Sequence, residues 1–184
     1  ADPSNQKSIR FINRYVKNRE DFRPLAPVVL EKYADKYFDL HQSCYSMYKY
    51  MLTLALSRSR NIQDSHAGSD FQNQPIKLLS GSDSLVPSVV HLDGTSRLQL
   101  VGESHKSSPL YRILLAFYEL YDLPALINTS LNVRGEPIVE SIDDAISCFK
   151  RANLDFMIIN NFLIYRDQQD PLVLIADEVV FQPD

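Results

Sequence analysis

The sequence lacks several features that would assign it quickly to a class. It has no apolar run near the roughly 18–20 residues that a membrane-spanning helix needs. It has only two cysteines, Cys44 and Cys148, and neither belongs to a C-x-x-C pair. Its four histidines are scattered, so no His/Cys set has the spacing of a metal site. We therefore expect a cytoplasmic protein with two ordinary buried thiols and no metal centre built by its own side chains.

The chain also lacks an excess of positive charge. Lys and Arg number 19 against 23 Asp and Glu, which gives a formal net charge of -4. General nucleic-acid binders usually carry surplus positive charge, so the balance argues against a nucleic-acid partner while allowing a local basic pocket. A length of 184 residues and a hydrophobic fraction of 45% suit one domain with a proper core. Because the sequence does not begin with Met, we expect a piece excised from a longer protein.

Common phosphate-binding and nucleophile motifs are missing as well. There is no G-x-x-x-x-G-K-[ST] and no G-x-G-x-x-G. No Ser–His–Asp set and no nucleophile can be argued from the spacing. A phosphate site in this chain would therefore be built from side chains more than from a helix N-terminus.

A cluster of small polar side chains is present at residues 128–137. Two amides, two hydroxyls, a guanidinium and a glycine follow an apolar run at residues 123–127 that predicts a buried strand. Small polar side chains at a strand end can hydrogen-bond an anion without filling the space that it needs. The candidate ligand contacts in this stretch are Asn128, Thr129, Ser130, Asn132 and Arg134.

Two cations precede this cluster where the backbone should be well defined. The apolar period at residues 5–20 predicts an amphipathic helix, and Lys17 lies near its end. Arg23 follows on a segment whose prolines, Pro24 and Pro27, force extended backbone at the residues before them. A stiff segment lowers the entropy that an arginine loses when it binds a phosphate.

A third cation follows a predicted turn. The β-branched run at residues 86–92 predicts a strand and residues 98–101 predict its partner, so we interpret this region as a β-hairpin. Asp93 and the glycine after it form the turn, and Arg97 comes shortly after them. The sequence leaves open whether His91 and Asp93 only stabilise the turn or also contact a ligand.

Lys17, Arg23, Arg97 and Arg134 thus lie beside turns, prolines or strand ends. Each of them alone could be an ordinary surface charge or a partner of Asp or Glu. Together with the small polar side chains they predict a phosphate pocket, in which arginine forks onto phosphoryl oxygens and lysine acts as a point charge. The chemistry implied is phosphoryl or nucleotidyl transfer by positioning and charge stabilisation.

The other elements follow from apolar periodicity and capping residues. They are a strand running into a short helix at residues 28–40, a strand at 48–56, a polar loop insertion at 57–84, a helix at 109–121, a helix after Ser141 with Asp144 in a capping box, and a hairpin of strands at 156–160 and 162–165. This mixture predicts an α+β (mixed α/β) fold rather than a pure doubly wound sheet.

Three motifs resemble, in order, the C-terminal domain of the carbamoyltransferase family, which includes nodulation-type and antibiotic O-carbamoyltransferases. They are FRPLAP at residues 22–27, HLDGTSR at 91–97 and NTSLNVRGEPIV at 128–139. The third motif is highly specific, although Leu131 stands where an aromatic residue is common. The resemblance implies one YrdC/Sua5-like domain over residues 1–184, with a twisted mixed sheet and flanking helices around a positively charged concave pocket.

The resemblance also implies an activity. The chain would bind ATP, Mg²⁺ and carbamoyl phosphate and form carbamoyl adenylate, with release of phosphate and pyrophosphate. A missing N-terminal Kae1-like domain would then transfer the carbamoyl group to a hydroxyl acceptor, so this chain would not complete the transfer alone. The alternatives are a YrdC-like nucleotide- or RNA-binding module without this activity, and a structural domain whose cations only pair with acids. The acceptor and the oligomeric state, a homodimer included, stay open.

The resemblance assigns site residues by position. Lys17, Arg23 and Arg97 match the family's basic residues around the phosphates and the carbamoyl group, where they would act in catalysis. Asn128 and Ser130 match its small polar ligands, and Mg²⁺ would bridge phosphate oxygens. The remaining candidates, in the same motifs but with less defined roles, are Thr129, Asn132, Arg134, His91 and Asp93.

Overall fold

The computed structural model describes residues 1–58 and 84–175, which belong to two compact units. Unit 1 comprises Ala1–Ile9 and Pro24–Thr129, and unit 2 comprises Arg10–Arg23 and Ser130–Asp184. The predicted loop insertion at 57–84 lies almost wholly outside the described residues. One domain over residues 1–184 stays a prediction.

The described residues form eight strands and four α-helices. The strands are β1 (Ala26–Leu30), β2 (Phe38–Asp39), β3 (Ala55–Ser57), β4 (Thr95–Ser96), β5 (Gln99–Val101), β6 (Ala125–Asn128), β7 (Phe156–Ile159) and β8 (Phe162–Tyr165). The helices are α1 (Lys7–Phe11), α2 (Tyr45–Tyr48), α3 (Pro109–Tyr121) and α4 (Ile142–Arg151). This mixture confirms the predicted mixed α/β class, and the YrdC-like fold stays a prediction. None of the described helices has the length and apolar character to cross a membrane.

Unit 1 is built on a mixed sheet in which β1 lies between β5 and β6. Strand β1 pairs parallel to β5, with Val28 opposite Gln99, and antiparallel to β6, with Ala26 opposite Asn128. Every residue of β1 is buried, which explains its continuous apolar sequence. A second, antiparallel sheet has the order β2, β3, β4.

Helix α3 covers the first sheet. Its Leu114 is fully buried with Val28 and Leu30 of β1 in a hydrophobic core cluster of this unit. Ser108 caps this helix, because its Oγ accepts a hydrogen bond of 3.2 Å from the Tyr111 N–H.

The strand predicted at residues 86–92 is wrong. Pro87–Val89 is a single 3₁₀ turn, and no residue of 85–92 belongs to a strand. Val86 and Val89 are fully buried, so the β-branched pattern reports burial and not sheet pairing. A proline at position 87 also has no N–H to donate to a ladder.

The predicted β-hairpin around the Asp93–Gly94 turn is also wrong, because the segments on either side of the turn do not pair with each other as strands. The turn exists, because the Gly94 N–H donates to the His91 carbonyl at 3.0 Å. However, β4 pairs with β3 whereas β5 pairs with β1, so the chain passes from one sheet to the other at residues 97–98.

The strand predicted at 48–56 is correct only at its end. Helix α2 covers its first residue, and Met51 has a φ of 58°, which ends any extended conformation there. Tyr48 is buried within α2, and its hydroxyl accepts a hydrogen bond from the His41 N–H at 3.2 Å.

Unit 2 contains the helix predicted at residues 5–20, which is shorter than expected. Helix α1 crosses into this unit and continues as a π-helical turn, Ile12–Val16. The capping box of α4 is confirmed: the Asp144 N–H donates to Ser141 Oγ at 3.1 Å, and the Ser141 N–H donates to Asp144 Oδ2 at 3.0 Å. The hairpin of β7 and β8 is confirmed as well.

Candidate functional site

An open cleft with a volume of about 200 Å³ lies in unit 2 and is called here the unit 2 cleft. Four basic side chains, one acidic side chain and four small or neutral residues line it. They are Lys17, Arg19, Arg23, Arg134, Glu136, Ser130, Asn132, Val133 and Gly135. Five of the residues predicted from the sequence, from positions more than 100 apart, thus line one concavity.

Lys17 holds one side of the cleft in place. Its side chain is buried, with 5% exposure, and its Nζ donates to the carbonyls of Ser130 and Asn132, each at 2.7 Å. The same Nζ lies 2.6 Å from Asn132 Oδ1 and 3.2 Å from Ser130 Oγ. Burial, and then the charge of Arg19, lower the pKa of Lys17 below its ordinary value. Because its three protons are shared among four oxygens, Lys17 braces residues 130–132 directly.

Glu136 holds the other side of the same loop. Its carboxylate accepts a short hydrogen bond from Nε of Arg151 in α4 and a second one, of 3.2 Å, from the Val133 N–H. Its carbonyl accepts from Asn132 Nδ2 at 2.8 Å. Gly135 turns the chain with a φ of 81°, a conformation that favours glycine. The loop of residues 130–136 is therefore fixed at both ends.

Asn13 fixes the segment that carries the two remaining arginines. It is fully buried, and its Nδ2 donates to the carbonyls of Asp21 (3.1 Å) and Arg23 (2.8 Å). Its Oδ1 accepts from Arg19 Nε at 2.8 Å. Sequence reasoning attributed the stiffness at Arg23 to prolines and missed this amide. The signal was an asparagine four residues after Ile9, on the apolar face of the predicted helix.

Glu20 supplies a counter-charge to the cations of the cleft. Its Oε1 accepts from Arg134 Nη1 at 3.1 Å, and its Oε2 lies 3.7 Å from Arg23 Nε. A hydrogen bond from its own backbone, then the charges of Arg134 and Arg23, hold the pKa of Glu20 below its ordinary value. All three side chains are well exposed, so these pairs are weak and exchangeable.

His91, Asp93 and Arg97 belong to unit 1. His91 Nδ1 lies 3.1 Å from Thr95 Oγ1, and Asp93 Oδ1 accepts from the Thr95 N–H (3.0 Å) and hydroxyl (2.7 Å). Burial lowers the pKa of His91, and the hydrogen bonds from Thr95 lower that of Asp93. His91 and Asp93 therefore stabilise the turn. Arg97 is exposed between β4 and β5, and its catalytic role stays a prediction.

The polar stretch at 128–137 is divided between the units. Asn128 and Thr129 belong to unit 1, where Asn128 Nδ2 donates to Gln99 Oε1 at 2.6 Å and Thr129 is exposed. Ser130, Asn132 and Arg134 belong to unit 2. Ligand contact by Asn128 and Thr129 stays a prediction.

Comparison with known proteins yields a consistent set of matches. A family model described as carbamoyltransferase C-terminus matches residues 1–166. The chain is 35% identical over 169 residues to the uncharacterized protein sll1178 of Synechocystis, over 92% of the chain and 26% of that protein. It is 33% identical over 165 residues to nodulation protein NolO of Bradyrhizobium diazoefficiens, and this match covers 89% of the chain and 26% of NolO. It is 27% identical over 146 residues to the 3'-hydroxymethylcephem-O-carbamoyltransferase of Amycolatopsis lactamdurans, and this match covers 79% of the chain and 23% of that enzyme. The chain thus spans about a quarter of the length of these relatives.

Proposed function

The chain belongs to the carbamoyltransferase family as a C-terminal domain, and we propose that it binds carbamoyl phosphate and ATP in the unit 2 cleft and forms carbamoyl adenylate. Carbamoyl phosphate, ATP and one water would give carbamoyl adenylate, phosphate and pyrophosphate, with the phosphate leaving carbamoyl phosphate and the pyrophosphate leaving ATP. The resemblance inferred from the three sequence motifs is confirmed by the family match, and the family supports a transferase. The observation that carries the finer proposal is the set of four cations, Lys17, Arg19, Arg23 and Arg134, around one cleft.

The charge balance of the cleft favours a polyanion. The carboxylate of Glu136 already accepts a hydrogen bond from Arg151, which lies outside the cleft lining, so it offsets little of the positive charge. Glu20 offsets part of the charge of Arg23 and Arg134 through exposed pairs. Phosphate groups carry more charge than one carboxylate and match the fork of a guanidinium, so they would displace Glu20.

The residues of the cleft would have different roles. Arg23 and Arg134 would fork onto phosphoryl oxygens and neutralise the charge that develops during transfer. Lys17 would act mainly by positioning Ser130 and Asn132, because its protons are already shared with their oxygens. Arg97, which belongs to unit 1, would act in catalysis as the family resemblance implies.

Mg²⁺ would accompany the phosphates. Among the described residues, no group of three or more His, Cys, Asp and Glu side chains could hold a metal. The donors in the cleft fit an ion that is held mainly by substrate oxygens and water, as Mg²⁺ commonly is. Such an ion would supply charge neutralisation between phosphate groups.

The length of the relatives supports a further part of the proposal. They are about four times as long as the matched region, which leaves room for an N-terminal Kae1-like domain in the whole protein. That domain would pass the carbamoyl group to a hydroxyl acceptor, so this chain would carry out the adenylate-forming half only.

The two alternatives receive less support. An RNA-binding module is not favoured, because the family is one of transferases and the net charge is -4. A purely structural role for the cations fits Arg14, which pairs with Asp21 at 2.5 Å outside the cleft lining. The idea that the cations only pair with acids does not fit Lys17, because Lys17 donates to neutral oxygens instead of a carboxylate.

Pyrophosphate release tests the proposal. The chain is incubated with ATP, MgCl₂ and carbamoyl phosphate, and we expect release that depends on all three. Arg23→Ala and Arg97→Ala should each lower the rate by about 100-fold or more, because each removes a charged donor from the transition state. The matched control is Arg10→Ala, which removes an exposed cation of α1 that does not line the cleft.

Two outcomes would contradict the proposal. A folded parent chain that releases no pyrophosphate would exclude adenylate formation by this domain alone. A large drop in the melting temperature of the Arg23 and Arg97 variants would make these arginines structural. Calorimetric titration with ATP would then separate a nucleotide-binding module from a structural domain.

A further inference from the structure

Helix α3 has a second apolar face that does not belong to the core of unit 1. One face packs on the sheet through Leu114. The other carries Leu110, Ile113, Phe117 and Leu120, at spacings of three and four residues, and is called here the α3 stripe. Within this stripe, Ile113 is 50% exposed and Leu120 is 74% exposed. Exposed apolar side chains on a monomer are usually scattered singly, so a row of them on one helix face indicates a contact surface.

Two charged residues flank the α3 stripe along one edge. Arg112 and Glu119 are seven residues apart, so they lie about two turns from each other on the same side of the helix, with the exposed Ala116 between them. Neither side chain forms an ion pair with any residue that the structure describes. Their order is also unfavourable for an isolated helix, because the cation is nearer the N-terminus and the anion nearer the C-terminus.

We propose that the α3 stripe is the contact surface between two copies of this chain, packed with their α3 helices antiparallel about a two-fold axis near Ala116. The antiparallel arrangement brings Arg112 of each copy to the level of Glu119 of the other, because the two residues are symmetric about the helix midpoint. A two-fold interface forms this ion pair twice. A parallel arrangement would place like charges together, and the small side chain of Ala116 allows close approach at the axis.

The size of the surface determines the strength of this dimer. A helix of 13 residues is about 20 Å long, so one helix pair lies at the low end of specific interfaces. We therefore expect a dimer that dissociates on dilution. The proposal does not depend on the nature of the ligand in the unit 2 cleft.

Sedimentation equilibrium of the 184-residue chain across a concentration range tests the proposal. The parent should show a monomer–dimer equilibrium, and Leu120→Lys should sediment as a monomer at every concentration without unfolding, since Leu120 is already mostly exposed. Glu119→Arg should raise the dissociation constant at least about tenfold. At both symmetry-related positions of the interface, it would place the new arginine against Arg112 of the other copy, and the like charges would repel. The double variant Arg112→Glu/Glu119→Arg should restore the parent's dissociation constant.

A matched control and a chemical measurement complete the test. Glu140→Arg makes the same change in net charge at an exposed residue outside α3, and it should leave the dissociation constant unchanged. Ala116→Cys should form a disulfide-linked dimer under mild oxidation, with the parent's Cys44 and Cys148 as the background. A parent that stays monomeric, a Glu119→Arg variant that associates like the parent, or a double variant that fails to recover would each overturn the proposal.

Discussion

Two polar turns carry six of the ten predicted site residues, and they are held in different ways. The loop at residues 130–136 is fixed by Lys17, 113 positions away from Ser130, and by Arg151, 15 positions away from Glu136. The turn at residues 91–97 is closed by hydrogen bonds that span no more than four residues. The first turn therefore needs the tertiary structure of unit 2 to acquire its shape. The second is closed by its own residues, and the Ser57 N–H of β3 adds one long-range hydrogen bond of 2.9 Å to the Gly94 carbonyl.

The largest effect is expected at the long-range brace. Lys17→Met keeps most of the side-chain volume but removes every side-chain hydrogen bond from residue 17 to the loop, and it leaves the carbonyls of Ser130 and Asn132 without the Lys17 donor. We expect the free energy of unfolding to fall by about 3 kcal/mol, because losing a hydrogen bond from a charged donor and leaving its acceptor unsatisfied each cost on the order of 1–3 kcal/mol. Urea unfolding measures the loss.

Hydrogen exchange localises that effect. The Arg134 N–H donates to the Lys17 carbonyl at 3.2 Å, so it should exchange faster in Lys17→Met than in the parent. Lys7→Met, at an exposed lysine of α1, is the matched control and should behave like the parent. An unchanged stability in Lys17→Met would mean that the loop keeps its shape without the brace.

A smaller effect is expected at the other end of the loop. Glu136→Gln keeps the shape of the side chain but places an amide donor where one carboxylate oxygen accepts from Arg151 or from the Val133 N–H. We expect a loss of about 2 kcal/mol in the free energy of unfolding. Glu140→Gln, at an exposed glutamate, is the control. Equal stability of the two variants would show that the Arg151 pair does not hold the loop.

The smallest effect is expected at the local turn. Hydrogen bonds from Thr95 hold the pKa of Asp93 below its ordinary value, so the stability that Asp93 contributes is present above about pH 4 and is lost as the pH falls through the lowered pKa. Asp93→Asn should differ from the parent by less than about 0.5 kcal/mol at pH 7, and the difference should disappear in acid. Urea unfolding at several pH values measures it, and a difference that persists in acid would contradict the assignment to this carboxylate.

The elements that the sequence predicted well are those with local signals. Ser108 and Ser141 cap α3 and α4 because each side chain bonds an amide three residues ahead. The hairpin of β7 and β8 follows from two adjacent apolar runs around a two-residue turn. The strand at 86–92 failed because its buried valines pack in the core without a partner strand, which periodicity does not reveal.

The site was predictable in part for a related reason. Lys17, Arg23 and Arg134 were singled out by their neighbours in sequence, and all three line the unit 2 cleft. Arg19 and Glu136 also line it and were missed. A basic residue in a polar segment and an acid in a turn have no special local pattern, and their importance depends on Asn13 and Arg151.

The sequence by itself determined where α3 and α4 begin and where the Asp93–Gly94 turn lies, because caps and turns are settled within three or four residues. It also determined that the class is mixed α/β. Only the tertiary structure decided which strands pair, since β5 joins β1 and not β4. It also decided which apolar face of α3 is buried and that the ammonium of Lys17 faces the Ser130–Asn132 loop. Those outcomes depend on burial and on partners distant in sequence, which no local pattern specifies.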